Sequence, residues 1–120
     1  MNAYLTYDDG RIIELGEIEK SGVLALIEKA ESSLSLPQEE YFGVGFCRNE
    51  DDFVEIRPVG KSQYMIWSDI IAEKKRGFLG LFSGRGAHIE KIVVGTSAAA
   101  DAAYYYMDHS REEFETEYSA

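Results

Sequence analysis

The stretch Phe53-Val54-Glu55-Ile56-Arg57-Pro58, then Val59-Gly60-Lys61-Ser62, then Gln63-Tyr64-Met65-Ile66-Trp67 decides the fold. Its first part alternates, with Val54 and Ile56 on one face and Glu55 and Arg57 on the other, the period of a half-buried strand. Its last part alternates in the same way, Tyr64 and Ile66 against Met65 and Trp67. A turn this short between two strands makes them antiparallel neighbours, because a parallel pair needs a long crossover.

Working upstream, Tyr41 to Arg48 reads as a strand joined to Asp52–Pro58 through the polar turn Asn49-Glu50-Asp51-Asp52. Gly43 and Gly45 inside it signal a bulge or a close contact. Before it, Ser21 is placed to cap a helix over 22–34, with Val23, Leu26, Ile27, Ala30 and Leu34 on one face and Glu28, Lys29 and Glu31 turned away. Leu36-Pro37 ends it, since the residue before proline avoids helical angles. At the start, Tyr4 to Tyr7 and Arg11 to Leu15 flank Asp8-Asp9-Gly10, a hairpin signal.

Working downstream, the strand from Gln63 runs to about Ile71. Glu73 to Ala87 fits no regular period and reads as a long loop, and loops of that length are often functional. His88 to Val94 is a last strand. A helix over 98–108, capped by Thr96 or Ser97, buries Ala99, Ala102, Ala103 and Tyr106, its alanines allowing a close approach to the sheet. Ser110 and Glu113 form a capping box that opens a short final helix carrying Phe114 and Tyr118 on one face. The expectation is one α+β domain over residues 1–120: a single antiparallel sheet of about five to six strands with two to three helices on one face.

Acidic residues number 22 against 12 basic ones, giving a net charge of −10. Phosphate backbones are repelled at long range, which argues against nucleic acid as a partner, whereas a basic protein surface is attracted. Solubility alone also accounts for the charge. A single cysteine, Cys47, makes no internal disulfide and fits a reducing compartment. Met1-Asn2-Ala3-Tyr4 does not begin a signal peptide, and no apolar run approaches the ~20 residues of a membrane span. The expected location is the cytoplasm.

Catalytic apparatus is not visible in the sequence. His88 and His109 fall on different elements without zinc-ligand spacing, so no metal and no other cofactor is expected. Cys47, beside Phe46, reads as a small buried apolar residue. The carboxylates fall mostly on turns and helix exteriors, and a small domain offers little room for a deep cleft. Gly77, Gly80, Gly84 and Gly86 match neither a P-loop nor a dinucleotide fingerprint. The chain is therefore read as a non-enzyme that acts through its surfaces.

Two surfaces stand out. The 74–86 flap carries Phe78, Leu79, Leu81 and Phe82, flanked by Lys74, Lys75, Arg76 and Arg85. These apolar groups either fold back over the sheet, meet a partner, which includes a second copy of the chain, or touch an anionic membrane, a contact the net charge opposes. Acidic clusters occur at Glu50, Asp51 and Asp52 and at Asp108, Glu112, Glu113, Glu115 and Glu117. They form either a solvated face or a patch that steers a basic partner.

The run Phe53 to Arg57, the run Tyr64 to Trp67 and the late alanine-rich helix together resemble the layout of small immunity proteins of bacterial polymorphic-toxin and contact-dependent inhibition systems. That resemblance implies a cytosolic inhibitor that binds a cognate secreted toxin and blocks its active site or substrate access. Asp51, Asp52, Glu112 and Glu115 are then expected to meet a basic toxin cleft, with Phe78, Leu79, Phe82 and Arg85 completing the contact. A self-associating adaptor using the flap, and a small ligand-binding domain or enzyme, are the competing expectations.

Overall fold

The structure, a computed structural model, describes residues 1–69 and 88–118. Strand β1 (Asn2–Tyr7) turns through Asp8-Asp9-Gly10 into β2 (Ile12–Glu17). Gly10 takes a φ of +92°, and its N–H donates to the Tyr7 carbonyl. Helix α1 (Lys20–Ser32) and two short 3-10 turns, 33–35 and 38–40, lead into β3 (Phe42–Cys47). Then follow β4 (Phe53–Gly60), β5 (Gln63–Asp69), β6 (His88–Val94), α2 (Thr96–Asp108) and α3 (Arg111–Tyr118). The sheet has the order β2-β1-β3-β4-β5-β6, and every neighbouring pair is antiparallel. The α+β fold with one antiparallel sheet is thus as the alternation required.

Helices α1 and α2 pack on each other and on the same face of the sheet. That face carries Val44, Phe46, Val54, Ile56, Tyr64, Ile66 and Ile89, all buried against Val23, Ile27, Ala30, Ala99, Ala102, Ala103, Tyr106 and Phe114. Each large apolar side chain removed from water there contributes roughly 1.5–3 kcal/mol. The alternation places the other residues of each strand on a face that α1 and α2 leave uncovered.

Helix boundaries differ from the sequence reading. Helix α1 begins at Lys20 with Glu19 at the N-cap, so Ser21 lies inside it, and α2 is preceded by Gly95, whose φ of +99° suits glycine. Thr96 uses its hydroxyl differently, in a 3.1 Å bond with the Tyr64 hydroxyl. Leu34 is exposed. Glu31 does not simply face away: it accepts from the Ser62 N–H at 3.1 Å and from the Tyr64 hydroxyl. These bonds hold its carboxyl below the usual range, the tyrosine bond most strongly. Ser62 needs that anchor, because it sits in the left-handed region at a φ of +58°. The capping box stands as read: the Ser110 N–H donates to Glu113 Oε1 at 3.0 Å and the Glu113 N–H donates to Ser110 Oγ at 3.1 Å.

Candidate binding site on the open sheet face

The register aligns one residue from each strand in a transverse row on the face that α1 and α2 leave uncovered. Glu14 pairs with Tyr4, Tyr4 with Gly45, Gly45 with Glu55, Glu55 with Trp67, and Trp67 with Glu90. Carboxylates and aromatic rings alternate along it, with Gly45 as the one gap. A second row holds Glu17, Asn2, Cys47 and Phe53. The Phe53 and Trp67 rings meet across the two rows with centroids 5.5 Å apart.

Above these rows lies a trough of about 510 Å³. Strand β2 supplies Ile12, Glu14 and Gly16, β1 supplies Asn2, Ala3 and Tyr4, β3 supplies Cys47, and β4 supplies Phe53 and Glu55. Asn49 and Glu50, from the turn between β3 and β4, complete the lining. The trough exists because the sheet lacks side chains where it is needed. The bulge between Ala3 and Tyr4 moves β2 out of simple register near Gly16, which takes a φ of +82°. Gly45 leaves room for the Tyr4 ring to lie across β3, and a Cβ at that position would fall on the ring carbons. The close contact anticipated at Gly43 and Gly45 is present at both: a Cβ at Gly43 would stand 3.1 Å from the Ile56 carbonyl oxygen, and at Gly45 it would meet the Tyr4 ring.

Three carboxylates, Glu14, Glu50 and Glu55, line the trough, and among the described residues no lysine, arginine or histidine does. The Tyr4 hydroxyl donates to Glu55 Oε2 at 2.8 Å. Burial pushes the Tyr4 phenol up, and the Glu55 charge and hydrogen bond push it further. Burial also raises the Cys47 thiol, and the negative charge of Glu14 adds to this while the Met1 ammonium opposes it. Cys47 is only partly buried, so it borders the trough and is not the core residue expected from sequence. Both groups hold their protons at neutral pH. What the arrangement does offer is negative charge on aromatic walls, which attracts cations. Among the described residues, no group of three histidine, cysteine or acidic side chains is arranged to hold a metal ion, and no helix is long and apolar enough to cross a membrane.

The residues singled out in sequence divide into three sets. Asp51 and Glu112 are exposed, as anticipated. Asp52 and Glu115 are turned inward and correct that expectation. Asp52, 14% exposed, pairs with Arg48 and Arg111 and accepts the Tyr106 hydroxyl; Glu115, 8% exposed, accepts Arg111 Nε at 2.8 Å. The guanidinium of Arg111 also donates to the Phe53 carbonyl at 3.1 Å, and Arg48 caps the end of α2 through the carbonyls of Tyr106 and His109. This network fastens α2 and α3 to the β3–β4 turn, so the two acidic clusters lie at one end of the molecule. Phe78, Leu79, Phe82 and Arg85 lie outside the described residues. Tyr4, Glu14, Glu55 and Phe53 were not singled out as a site; the signal that pointed to them was the outward alternation of Glu55 and the unexplained glycine at 45.

No protein family, curated protein or solved structure matches this chain. The functional reading therefore rests on the chemistry of the trough and of the surface around it.

Proposed function

We propose that the protein is a non-catalytic, stoichiometric binding protein that receives a basic protein partner on the open face of its sheet. The observation that carries this reading is the trough: three carboxylates on aromatic and aliphatic walls, with no basic lining residue among the described ones, in a chain of net charge −10. Exposed Ile12 at its margin adds apolar area. A face of this kind combines the apolar anchors that hold a complex with the charge that selects and steers its partner. The raised Tyr4 and Cys47 favour binding over nucleophilic chemistry. Within the immunity-protein class that the layout resembles, the partner is a secreted toxin, and inhibition follows from covering its basic active-site cleft.

The test is reconstitution. A partner captured from the native cell is purified, and its complex with the wild-type chain is compared with that of the Glu14→Lys, Glu55→Lys double variant. The expected result is a 1:1 complex with the wild type, suppression of the partner's toxic activity, and loss of both in the variant. A complex that tolerates both reversals overturns the trough as the contact. Turnover of a small molecule by the purified chain, abolished by one trough substitution, overturns the non-catalytic reading.

A further inference from the structure

The trough is lined by the Tyr4 ring and by the Glu14, Glu50 and Glu55 carboxylates. We infer that it receives an arginine projected by the partner protein, the guanidinium lying flat on the outer face of the Tyr4 ring and its N–H groups directed at the Glu14 and Glu55 carboxylates. This inference rests on the binding-protein reading and names the group recognised.

The ring's orientation is the first support. The hydroxyl-bearing carbon of Tyr4 and the two ring carbons beside it stand at nearly equal distances from the point a Gly45 Cβ would occupy. A point in the ring plane beyond the hydroxyl end would be much farther from the two flanking carbons than from the first. The near equality places that point over the ring's face. Tyr4 thus lies with one face on the Gly45 backbone and the other turned away from the sheet. The hydrogen bond from its hydroxyl to Glu55 fixes it there.

The register is the second. Glu14 stands beside the Tyr4 backbone and Glu55 beside the ring's hydroxyl end, in one row. Three strand spacings separate the two glutamates, roughly 14 Å between Cα atoms, so their side chains reach toward a group centred on the ring from opposite sides. Charge is the third: Glu50 adds a further carboxylate, and no lysine, arginine or histidine is among the described lining residues.

A guanidinium suits this arrangement better than an ammonium. It is planar, stacks on aromatic faces, is weakly hydrated, and presents donors in two directions at once. A lysine ammonium is a compact, strongly hydrated point charge that would satisfy one carboxylate and leave the other. An apolar side chain would remove water from both without replacing its hydrogen bonds.

The experiment is a titration of ¹⁵N-labelled protein at low salt with the blocked tripeptide acetyl-Gly-Arg-Gly-amide and with its lysine counterpart. The arginine peptide is expected to shift the amides of Tyr4, Glu14, Gly45 and Glu55 and to bind about tenfold more tightly than the lysine peptide, a difference of about 1.4 kcal/mol. Glu14→Gln with Glu55→Gln is expected to weaken it by about tenfold or more, since charge-assisted bonds are lost. Glu55→Gln keeps an acceptor for the Tyr4 hydroxyl, so the ring stays in place. Equal affinity for the two peptides overturns the choice of arginine. Shifts that cluster elsewhere, or no shifts, overturn the trough as its receptacle. If those results come with a partner complex that forms normally, only this inference fails. If the arginine peptide binds as stated but the chain forms no complex with any protein, the binding-protein reading fails instead.

Discussion

The Tyr106 hydroxyl directs its one proton at two acceptors of Asp52, the backbone carbonyl at 2.7 Å and the carboxylate at 2.8 Å. Arg48 stacks over the same ring, 4.4 Å from its centroid, and pairs with the same carboxylate. A turn that looks like an exposed acidic loop is therefore a joint of the fold. Tyr106→Phe removes the donor but leaves both arginines paired, and is expected to cost about 1–2 kcal/mol. Asp52→Ala removes the carboxylate that accepts from Tyr106 and that Arg48 and Arg111 share, leaving Arg111 paired with Glu115, and is expected to cost about 2–3 kcal/mol. Urea unfolding of the two variants measures the difference. An Asp52→Ala midpoint near that of wild type would refute the structural role.

The tyrosines make the fold sensitive to alkali. Burial is the first cause that raises Tyr4, Tyr64, Tyr106 and Tyr118 above the ordinary value of 10.0. Above that value the unfolded chain gives up protons that the folded chain retains, so stability falls as pH rises. It is fully present below pH 10 and is lost progressively up to the folded values. For buried Tyr106 the loss by pH 11 is on the order of 1 kcal/mol. Unfolding midpoints measured from pH 8 to 11 should therefore decline, and Tyr106→Phe should flatten the decline. At the acid end the sign reverses, because the carboxyls of Glu31 and Glu113 are held below their ordinary values by hydrogen bonds. Stability they supply above about pH 4.5 is lost as pH falls further.

The sheet was legible because strand alternation and short turns are local signals, and each of the pairs β1–β2, β3–β4 and β4–β5 joins neighbours in sequence. The trough was not, because it depends on β1 pairing with β3 across the whole of α1. Only that pairing sets Tyr4 against Gly45 and brings Glu14 into line with Glu55. Asp52 misled for the same reason. By composition it belongs to a polar turn, and the arginine that draws it inward, Arg111, arrives with the last helix. Glu31 shows the reverse side of this limit: helical periodicity placed it outward, but a glutamate side chain is long enough to reach Ser62 and Tyr64 from there.

Gly45 is predicted to be the most sensitive glycine of the sheet's open face. Alanine there would place a methyl group on the Tyr4 ring, which must leave β3 and give up Glu55. The expected cost is about 1–3 kcal/mol, the range for forcing extra volume into a filled site. Tyr4→Ala removes the obstacle, so the double variant should be less destabilised than the sum of the two single changes. A thermodynamic cycle measures this coupling. Strict additivity would mean that the ring does not rest on Gly45.

Charge steering is testable at the end of the molecule where Asp51 and Glu112 are exposed. Reversing Asp52 would be uninformative, since a lysine there would be set among Arg48 and Arg111 and would break the joint before it altered any surface. Asp51→Lys with Glu112→Lys changes the field and leaves the network intact. With the purified partner, association at low ionic strength is expected to slow by about tenfold, while dissociation stays near the wild-type rate, the pattern of a rim charge. The two association rates should converge as salt is added, because screening removes the difference. Equal rates at low salt would show that this end of the molecule takes no part in guiding the partner, and the trough's own carboxylates would then have to supply the attraction.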